Sequence, residues 1–234
     1  MIKILSRIVV SILILLFLSI LSLRLILNKK KPEGIAGPEA ERIAYEMVEH
    51  LNIDAYRSTD IIEWHKNGRK YRWNKLNQRA FIQYDSISIV LNITDYQKSR
   101  VKINGRQIDQ NLKDELSEKA YKYFINDSFW VFAPFKVFDK GTKRSTVTLD
   151  NGKTGLLVEY TSGGVTPGDS YLWHLDSVYR PTGFQMWTKI IPIDGIYASW
   201  ENWTTTENDF LISQKHKVFF YTINIDSIQA FNVP

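Results

Sequence analysis

The feature that most constrains this chain is the period of its apolar residues after position 60. Apolar and polar side chains alternate through many short segments, and turn sequences separate these segments. The turn sequences include Asn67-Gly68, Asn104-Gly105, Asp150-Asn151-Gly152, Pro167-Gly168 and Asp194-Gly195. A period of two with Asn-Gly or Asp-Gly turns is typical of hairpins, so the pattern predicts an antiparallel meander rather than parallel βαβ units.

Two helices interrupt the strands. Apolar residues at helical spacing from Pro38 to Leu51 predict a first helix that ends near Asn52. A second helix is predicted over about Gln110 to Asn126, followed by a strand at Phe129 to Val131. About a dozen strands exceed what a flat open sheet tolerates. We therefore predict an α+β fold in which one strongly curved antiparallel sheet, an unclosed β-barrel, wraps two or three helices.

The amino terminus predicts a membrane anchor. Residues 8–27 are apolar except for serines and Arg24, and spanning a bilayer takes about 20 residues. A cleavable signal peptide that releases the domain is the alternative, although no small-x-small cleavage site follows the run. Basic residues flank both ends, so the positive-inside rule leaves the orientation open. The predicted division is an anchor at 1–31, a linker at 32–37 and a folded domain at 38–234.

The charge of the chain argues against nucleic acid as a partner. The net charge is +5, but residues 1–31 hold six basic residues and no acidic one. The other residues carry 24 basic and 25 acidic groups, which gives −1 for the folded part. A phosphate-binding surface on the domain is therefore not expected.

Sequence motifs for catalysis are missing. There is no cysteine, no glycine-rich phosphate loop and no G-x-S-x-G sequence, and the four histidines lie in four different segments. We expect no catalytic residue, no metal site and no cofactor. A cleft that gathered His174, Asp176 and Glu201 would instead indicate a hydrolase.

The aromatic residues carry the strongest functional signal. They make up 13% of the chain, and three tryptophans fall within Pro181 to Trp203, a predicted hairpin with Asp194-Gly195 as its turn. Such residues either fill a core beneath the helices or line a cavity for an apolar ligand. The candidate cavity residues are Trp130, Phe132, Trp173, Phe184, Trp187 and Trp200.

Two stretches resemble a known family. They are Asn67 to Trp73 with the alternating strands that follow, and Ser128-Phe129-Trp130 followed by Gly168 to Trp173. With the preceding helix, they resemble the periplasmic outer-membrane lipoprotein carrier superfamily (LolA/LolB-like) over roughly residues 38–231. The resemblance implies an unclosed barrel with an apolar interior that shelters acyl chains. The chain departs from the family in its peptide anchor and in lacking the D-G-x-x-L-W segment, so transfer of lipoproteins is not carried over.

These observations lead to one main expectation and one alternative. The main expectation is a non-enzymatic, membrane-tethered periplasmic domain that binds a lipid, a lipoprotein acyl chain or another apolar ligand in a half-barrel cavity. The membrane, through residues 8–27, and other cell-envelope proteins are further candidate partners. The alternative is a structural or interaction module of a cell-envelope assembly with a solid core.

Overall fold

The structure is a computed structural model. It describes residues 10, 12, 14, 15, 18 and 22 and the ranges 26–162 and 166–233. Most of the predicted anchor at 8–27 lies outside these residues. Within the part that is described, no helix is both long and apolar enough to cross a membrane.

After the linker, the described residues form three α-helices, α1 (Pro38–His50), α2 (Ile53–Ser58) and α3 (Gln110–Phe132), and two short 3-10 helices at Tyr96–Lys98 and Ala133–Lys136. In α1 the predicted apolar stripe is buried, and Glu39 and Glu41 occupy the first turn, where the helix dipole favours them. Asn52 adopts a left-handed conformation (φ 62°), and its side chain accepts a hydrogen bond from the Ala55 amide. Asn52 thus separates α1 from α2, as its position predicted.

The third helix corrects one prediction. Helix α3 continues past Asn126 to Phe132, so the strand predicted at Phe129 to Val131 is wrong. The apolar run there suits a helix that is covered on more than one side, and periodicity alone does not separate a short buried helix from a buried strand. Val131 and Phe132 are buried at the end of this helix.

Two antiparallel sheets make up the rest of the domain. In chain order the strands are β1 (Ile61–Lys66), β2 (Arg69–Asn74), β3 (Arg79–Tyr84), β4 (Ile87–Asn92), β5 (Arg100–Ile103), β6 (Arg106–Gln107), β7 (Thr142–Thr148), β8 (Thr154–Tyr160), β9 (Ser170–Leu175), β10 (Pro181–Trp187), β11 (Ile196–Ser199), β12 (Glu201–Thr205), β13 (Leu211–Val218), β14 (Tyr221–Asn224) and β15 (Ser227–Phe231). In the described residues, the first sheet has seven strands in the order β15-β1-β2-β3-β4-β5-β6, and the second has eight, in the order β12-β13-β11-β10-β9-β8-β7 with β14 paired to β13.

The α+β class and the unclosed antiparallel architecture are confirmed, but there are two sheets instead of one. They meet along the segment from β14 to β15, which pairs with the second sheet and then with the first. At the crossover the Ile225 amide donates to the Gln214 carbonyl (2.9 Å) and the Asp226 amide donates to the His65 carbonyl (3.1 Å). This pairing brings the carboxyl-terminal strand β15 back to β1. The paired residues are more than 160 positions apart in the sequence, so no local pattern specifies this contact.

The predicted hairpin with Asp194-Gly195 as its turn is formed by β10 and β11, but the connection between these strands differs from the prediction. Residues 188–195 form an eight-residue connection, and the Gly195 amide donates to the Met186 carbonyl (2.9 Å) at its base. Asp194-Gly195 therefore closes a longer loop instead of forming a two-residue turn. By contrast, Asn67-Gly68 joins two paired strands as a tight turn, with positive φ at both residues.

The core lies between the helices and the two sheets. Its largest fully buried side chains are Trp64, Phe132, Trp173, Phe184 and Phe210. A separate small cluster of Val147, Leu157, Leu172 and Trp187 lies apart from this core. The second sheet is therefore apolar on both faces, which is why its strands hold large residues without strict alternation.

Candidate functional site

A cavity of about 780 Å³ lies beside the carboxyl-terminal half of α3. Both sheets and the helix contribute apolar walls. Helix α3 provides Tyr123, Phe124, Phe129 and Trp130, the first sheet provides Trp73, and the second sheet provides Tyr160, Tyr171 and Met186. This volume is within the range of small-molecule sites, which are typically about 300–1,000 Å³ and mostly apolar.

Contacts between aromatic rings hold the cavity wall. The ring centroids of Phe129 and Tyr171 are 4.7 Å apart, and those of Phe129 and Tyr160 are 6.0 Å apart in an edge-to-face arrangement. Trp130 lies 5.7 Å from Phe184, which belongs to the core behind the wall. These tilted and edge-to-face contacts are the geometries that aromatic pairs prefer. They connect the cavity wall directly to the packed core.

Three polar atoms at the cavity are buried and have no hydrogen-bond partner in the described part of the chain. They are Trp73 Nε1, Tyr160 Oη and Thr188 Oγ1. Buried polar groups in folded proteins are nearly always paired, because an unpaired one loses its hydration without compensation. Each of these atoms can donate a hydrogen bond, so the cavity suits a ligand that brings an acceptor oxygen.

The tyrosines of the cavity are neutral donors. Burial raises the pKa of Tyr160 well above its ordinary value. Burial, together with the nearby Asp169 carboxylate, raises the pKa of Tyr171. The Tyr171 hydroxyl lies 3.5 Å from Asp169 Oδ2, and Asp169 also accepts from the Thr166 hydroxyl at 2.5 Å. Neither phenol ionises near neutral pH, so the apolar wall carries no phenolate charge.

The rim of the cavity is charged. Lys122, Lys136, Asp139 and Lys140 line it. Lys136 pairs with Asp139 at 3.2 Å, and Lys122 pairs with Glu118 at 2.5 Å. An apolar interior with a charged rim fits an amphipathic ligand whose head group is polar.

A buried charge cluster fixes α3 next to the cavity. Asp127 is fully buried and accepts hydrogen bonds from Lys66 Nζ (2.6 Å), Arg69 Nε (2.8 Å) and the Tyr71 hydroxyl (2.6 Å). Burial opposes ionisation of Asp127, but the Lys66 charge and these hydrogen bonds outweigh it and hold its pKa below the ordinary value. Sequence reasoning missed this cluster, although a carboxylate inside an otherwise apolar helical run was a usable signal.

The structure places the six predicted cavity residues in three different surroundings. Trp130 lines the cavity. Phe132, Trp173, Phe184 and Trp200 are buried in the core around it. Trp187 lies in the small separate cluster, and its Nε1 donates to the Lys29 carbonyl (2.7 Å). Contact of these residues with a ligand stays a prediction.

Other lining residues were not selected from the sequence. Trp73, Phe129, Tyr160 and Met186 come from four different elements, and no local spacing connects them. Tyr171 had a signal, because it shares a strand face with Trp173 in β9. The cavity therefore arises from the meeting of α3 with the ends of both sheets.

The hydrolase candidates lie outside the cavity lining. Asp176 accepts from the Val178 and Arg180 amides (3.0 and 2.9 Å) in the turn after β9. Glu201 pairs with Lys217 at 3.2 Å. Burial lowers the pKa of His174. In the described ranges, no group of three or more histidines and carboxylates could hold a metal ion.

Comparisons with known proteins found solved structures but no family model and no curated protein that matches. One similar structure is a DUF1329 family protein from Desulfovibrio piger, at 8% identity and a TM-score of 0.41, over 82% of this chain and 92% of that chain. Another is a putative outer membrane lipoprotein-sorting protein domain from Vibrio parahaemolyticus, at 7% identity and a TM-score of 0.32, over 80% of this chain and 93% of that chain.

Proposed function

We propose that this chain is a non-enzymatic cell-envelope domain, tethered to the membrane by residues 8–27, that binds a lipid or an acyl chain. The observation that carries the proposal is the apolar cavity of about 780 Å³ between α3 and the two sheets. Its walls are aromatic and its rim is charged. The domain would act by sequestration, since burying each methylene group of a ligand contributes about 0.8 kcal/mol.

The unpaired polar atoms support an oxygen-bearing ligand. Trp73 Nε1, Tyr160 Oη and Thr188 Oγ1 are donors that a purely hydrocarbon ligand would leave unsatisfied. A carboxylate or ester oxygen would accept from them, and pairing a buried donor recovers about 1–3 kcal/mol. A fatty acid or an acyl ester therefore fits the cavity better than an alkane.

One observation favours the second candidate, an interaction module with a solid core. Trp173, Phe184 and Trp200 pack in one cluster with residues of α1 such as Ile43 and Met47. These aromatic residues need no ligand to be buried. The two functions differ in whether the cavity is occupied when the protein is isolated.

Native mass spectrometry of the full chain, extracted from membranes in a mild detergent, tests the proposal. We expect co-purified lipid and uptake of a fluorescent fatty acid. Ile191→Trp would fill part of the cavity and reduce both, whereas Val178→Trp, in the exposed turn between β9 and β10, serves as the matched control. Wild-type protein that carries no lipid and takes up no fatty acid would favour the interaction module.

We also propose that the folded domain lies in the periplasm, and this location has its own test. The chain has no cysteine, so Val178→Cys introduces a single exposed thiol. A maleimide that does not cross the inner membrane should label it in cells whose outer membrane has been permeabilised. Labelling only after lysis would place the domain on the cytoplasmic side.

A further inference from the structure

Antiparallel pairing brings several loops to one end of the second sheet. Trp187 is opposite Ser170, Met186 is opposite both Tyr171 and Ile196, and Ala198 is opposite Val218. The segments that follow or precede these residues therefore lie at the same end of the strands. We call residues 160–162, 166–169, 188–195 and 219–220 the mouth end, because several of them line the cavity.

The tip of the β13–β14 hairpin is the most exposed apolar part of the mouth end. Phe220 is 101% exposed and Phe219 is 57% exposed. They form the two-residue turn between the paired residues Val218 and Tyr221. Phe219 adopts φ 52°, a left-handed conformation that a bulky residue rarely takes and that glycine or asparagine usually fills. Two largely exposed aromatic residues thus occupy a turn that local chemistry disfavours.

The amino-terminal segment reaches the domain at the same end. The Lys29 amide donates to the Asp194 carbonyl (3.0 Å), and the Asp194 amide donates to the Asn28 side chain (2.9 Å). The membrane-spanning run predicted from the sequence, residues 8–27, ends just before Asn28. The residues that directly follow this run therefore bind the 188–195 loop.

The exposed charges around the mouth end are mainly positive. Lys29, Lys30, Lys140 and Lys189 are exposed there, while Lys31 pairs with Glu159. Ile190, which follows Lys189 in the chain, is 65% exposed. Exposed apolar side chains together with exposed lysines match the interface of a bilayer that contains anionic lipids, since each cation near such a surface is attracted to it.

We propose that the mouth end docks on an anionic bilayer, with Phe219 and Phe220 inserted between the head groups and the cavity opening towards the lipid surface. The inserted tip is narrow and convex, whereas protein partners usually require a broad patch. The proposed docking surface is inferred from the exposed side chains, the charge and the position of the anchor described above. Only its use as an entry route for a ligand rests on the proposed function.

Single-cysteine labelling of the full chain tests this proposal, because the sequence offers no competing thiol. Phe220→Cys and Val178→Cys would each carry a nitrobenzoxadiazole label. Val178 is 50% exposed, and its turn lies at the opposite end of the same sheet. Each protein is reconstituted in vesicles of equal parts phosphatidylglycerol and phosphatidylcholine, and lipids with a nitroxide on the acyl chain are used as quenchers.

We expect the label at 220 to shift its emission to the blue and to be quenched by the nitroxide lipids, while the label at 178 emits as in water. A water-like emission at 220 would overturn the proposal, as would equal quenching at both positions. A blue shift at 220 without lipid quenching would indicate shielding by protein and would also overturn it.

A double variant separates this proposal from the proposed function. Phe219→Ser with Phe220→Ser should leave fatty-acid uptake in detergent unchanged, because neither residue lines the cavity. Transfer of the bound fatty acid to anionic vesicles should become at least several-fold slower. Unchanged transfer would count against docking by the tip, whereas absent uptake in the wild type would count against the proposed function alone.

Discussion

The Nζ atom of Lys66 lies 2.6 Å from Oδ1 of Asp127, and the two side chains are only 3% and 0% exposed. This pair joins the end of β1 to the carboxyl-terminal half of α3. Arg69 and Tyr71 complete the contacts of Asp127 from β2. The cluster therefore fixes α3 against the first sheet one turn away from Phe124 and Trp130, the residues that line the cavity.

Replacing Asp127 with asparagine should strongly destabilise the protein. Asp127→Asn leaves Lys66 and Arg69 without a buried counter-charge, and breaking a buried pair in this way costs about 3–5 kcal/mol of unfolding free energy. Glu118→Gln, which breaks the exposed pair with Lys122, should cost less than about 1 kcal/mol. Urea unfolding in one detergent compares the two, and equal losses would contradict the role assigned to Asp127.

His216 should make the protein sensitive to acid. Burial lowers its pKa to about 4, while the unfolded chain binds the proton near pH 6.5. Between these values the unfolded state holds more protons, so the free energy of unfolding falls as pH drops from about 6.5 to 4, by up to about 3 kcal/mol. His216→Asn should remove this part of the pH slope. Parallel stability curves for the two proteins between pH 7 and pH 4 would contradict the prediction.

Relieving the turn at Phe219 should stabilise the domain. Phe219→Gly places glycine at φ 52°, where it removes the backbone strain of a left-handed phenylalanine. This gain in free energy exceeds the cost of the greater conformational entropy that glycine gives the unfolded chain, by up to about 1 kcal/mol. Phe220→Gly is the control, because Phe220 does not have a positive φ. A gain in unfolding free energy for Phe219→Gly alone is expected. A loss for both variants would show that the rings support the fold.

Tyr160 should matter more for ligand binding than for folding. Its hydroxyl is buried without a partner in the described part of the chain, so Tyr160→Phe should leave the free energy of unfolding unchanged or raise it slightly. Affinity for a fluorescent fatty acid should fall by about 10-fold, the equivalent of one hydrogen bond. Titration of both proteins measures this, and an unchanged Kd would remove Tyr160 from the proposed contacts.

An added methyl group at Gly183 should disrupt the pairing of β10 with β11. A Cβ there would lie 2.6 Å from the Ala198 carbonyl oxygen and 2.2 Å from the Tyr197 hydroxyl oxygen. The backbone contact cannot be relieved by a rotamer change, so Gly183→Ala should lower the free energy of unfolding by about 1–3 kcal/mol. Gly68→Ala, at φ 73° with nothing within 4 Å, should lose only about 1 kcal/mol. Thermal unfolding by circular dichroism distinguishes the two.

Local signals in the sequence predicted local structure well. The apolar stripe of α1, its end at Asn52 and the tight turn at Asn67-Gly68 follow from spacing and backbone preference, and all three are confirmed. The prediction failed at Phe129 to Val131, where large apolar residues fit either a strand or a buried helix. Only the position of α3 between other elements decides in favour of a helix.

The sequence by itself determined the antiparallel class, the first helix and most turns, because these depend on interactions between residues close in the chain. Tertiary structure alone decided the division into two sheets, the return of β15 to β1 and the burial of Asp127. It also decided which aromatic residues face the cavity. The sequence predicted both Trp130 and Trp173 to line the cavity, yet Trp130 lines it and Trp173 is buried in the core. That difference depends on which distant elements cover each ring, and long-range packing of this kind leaves no local pattern.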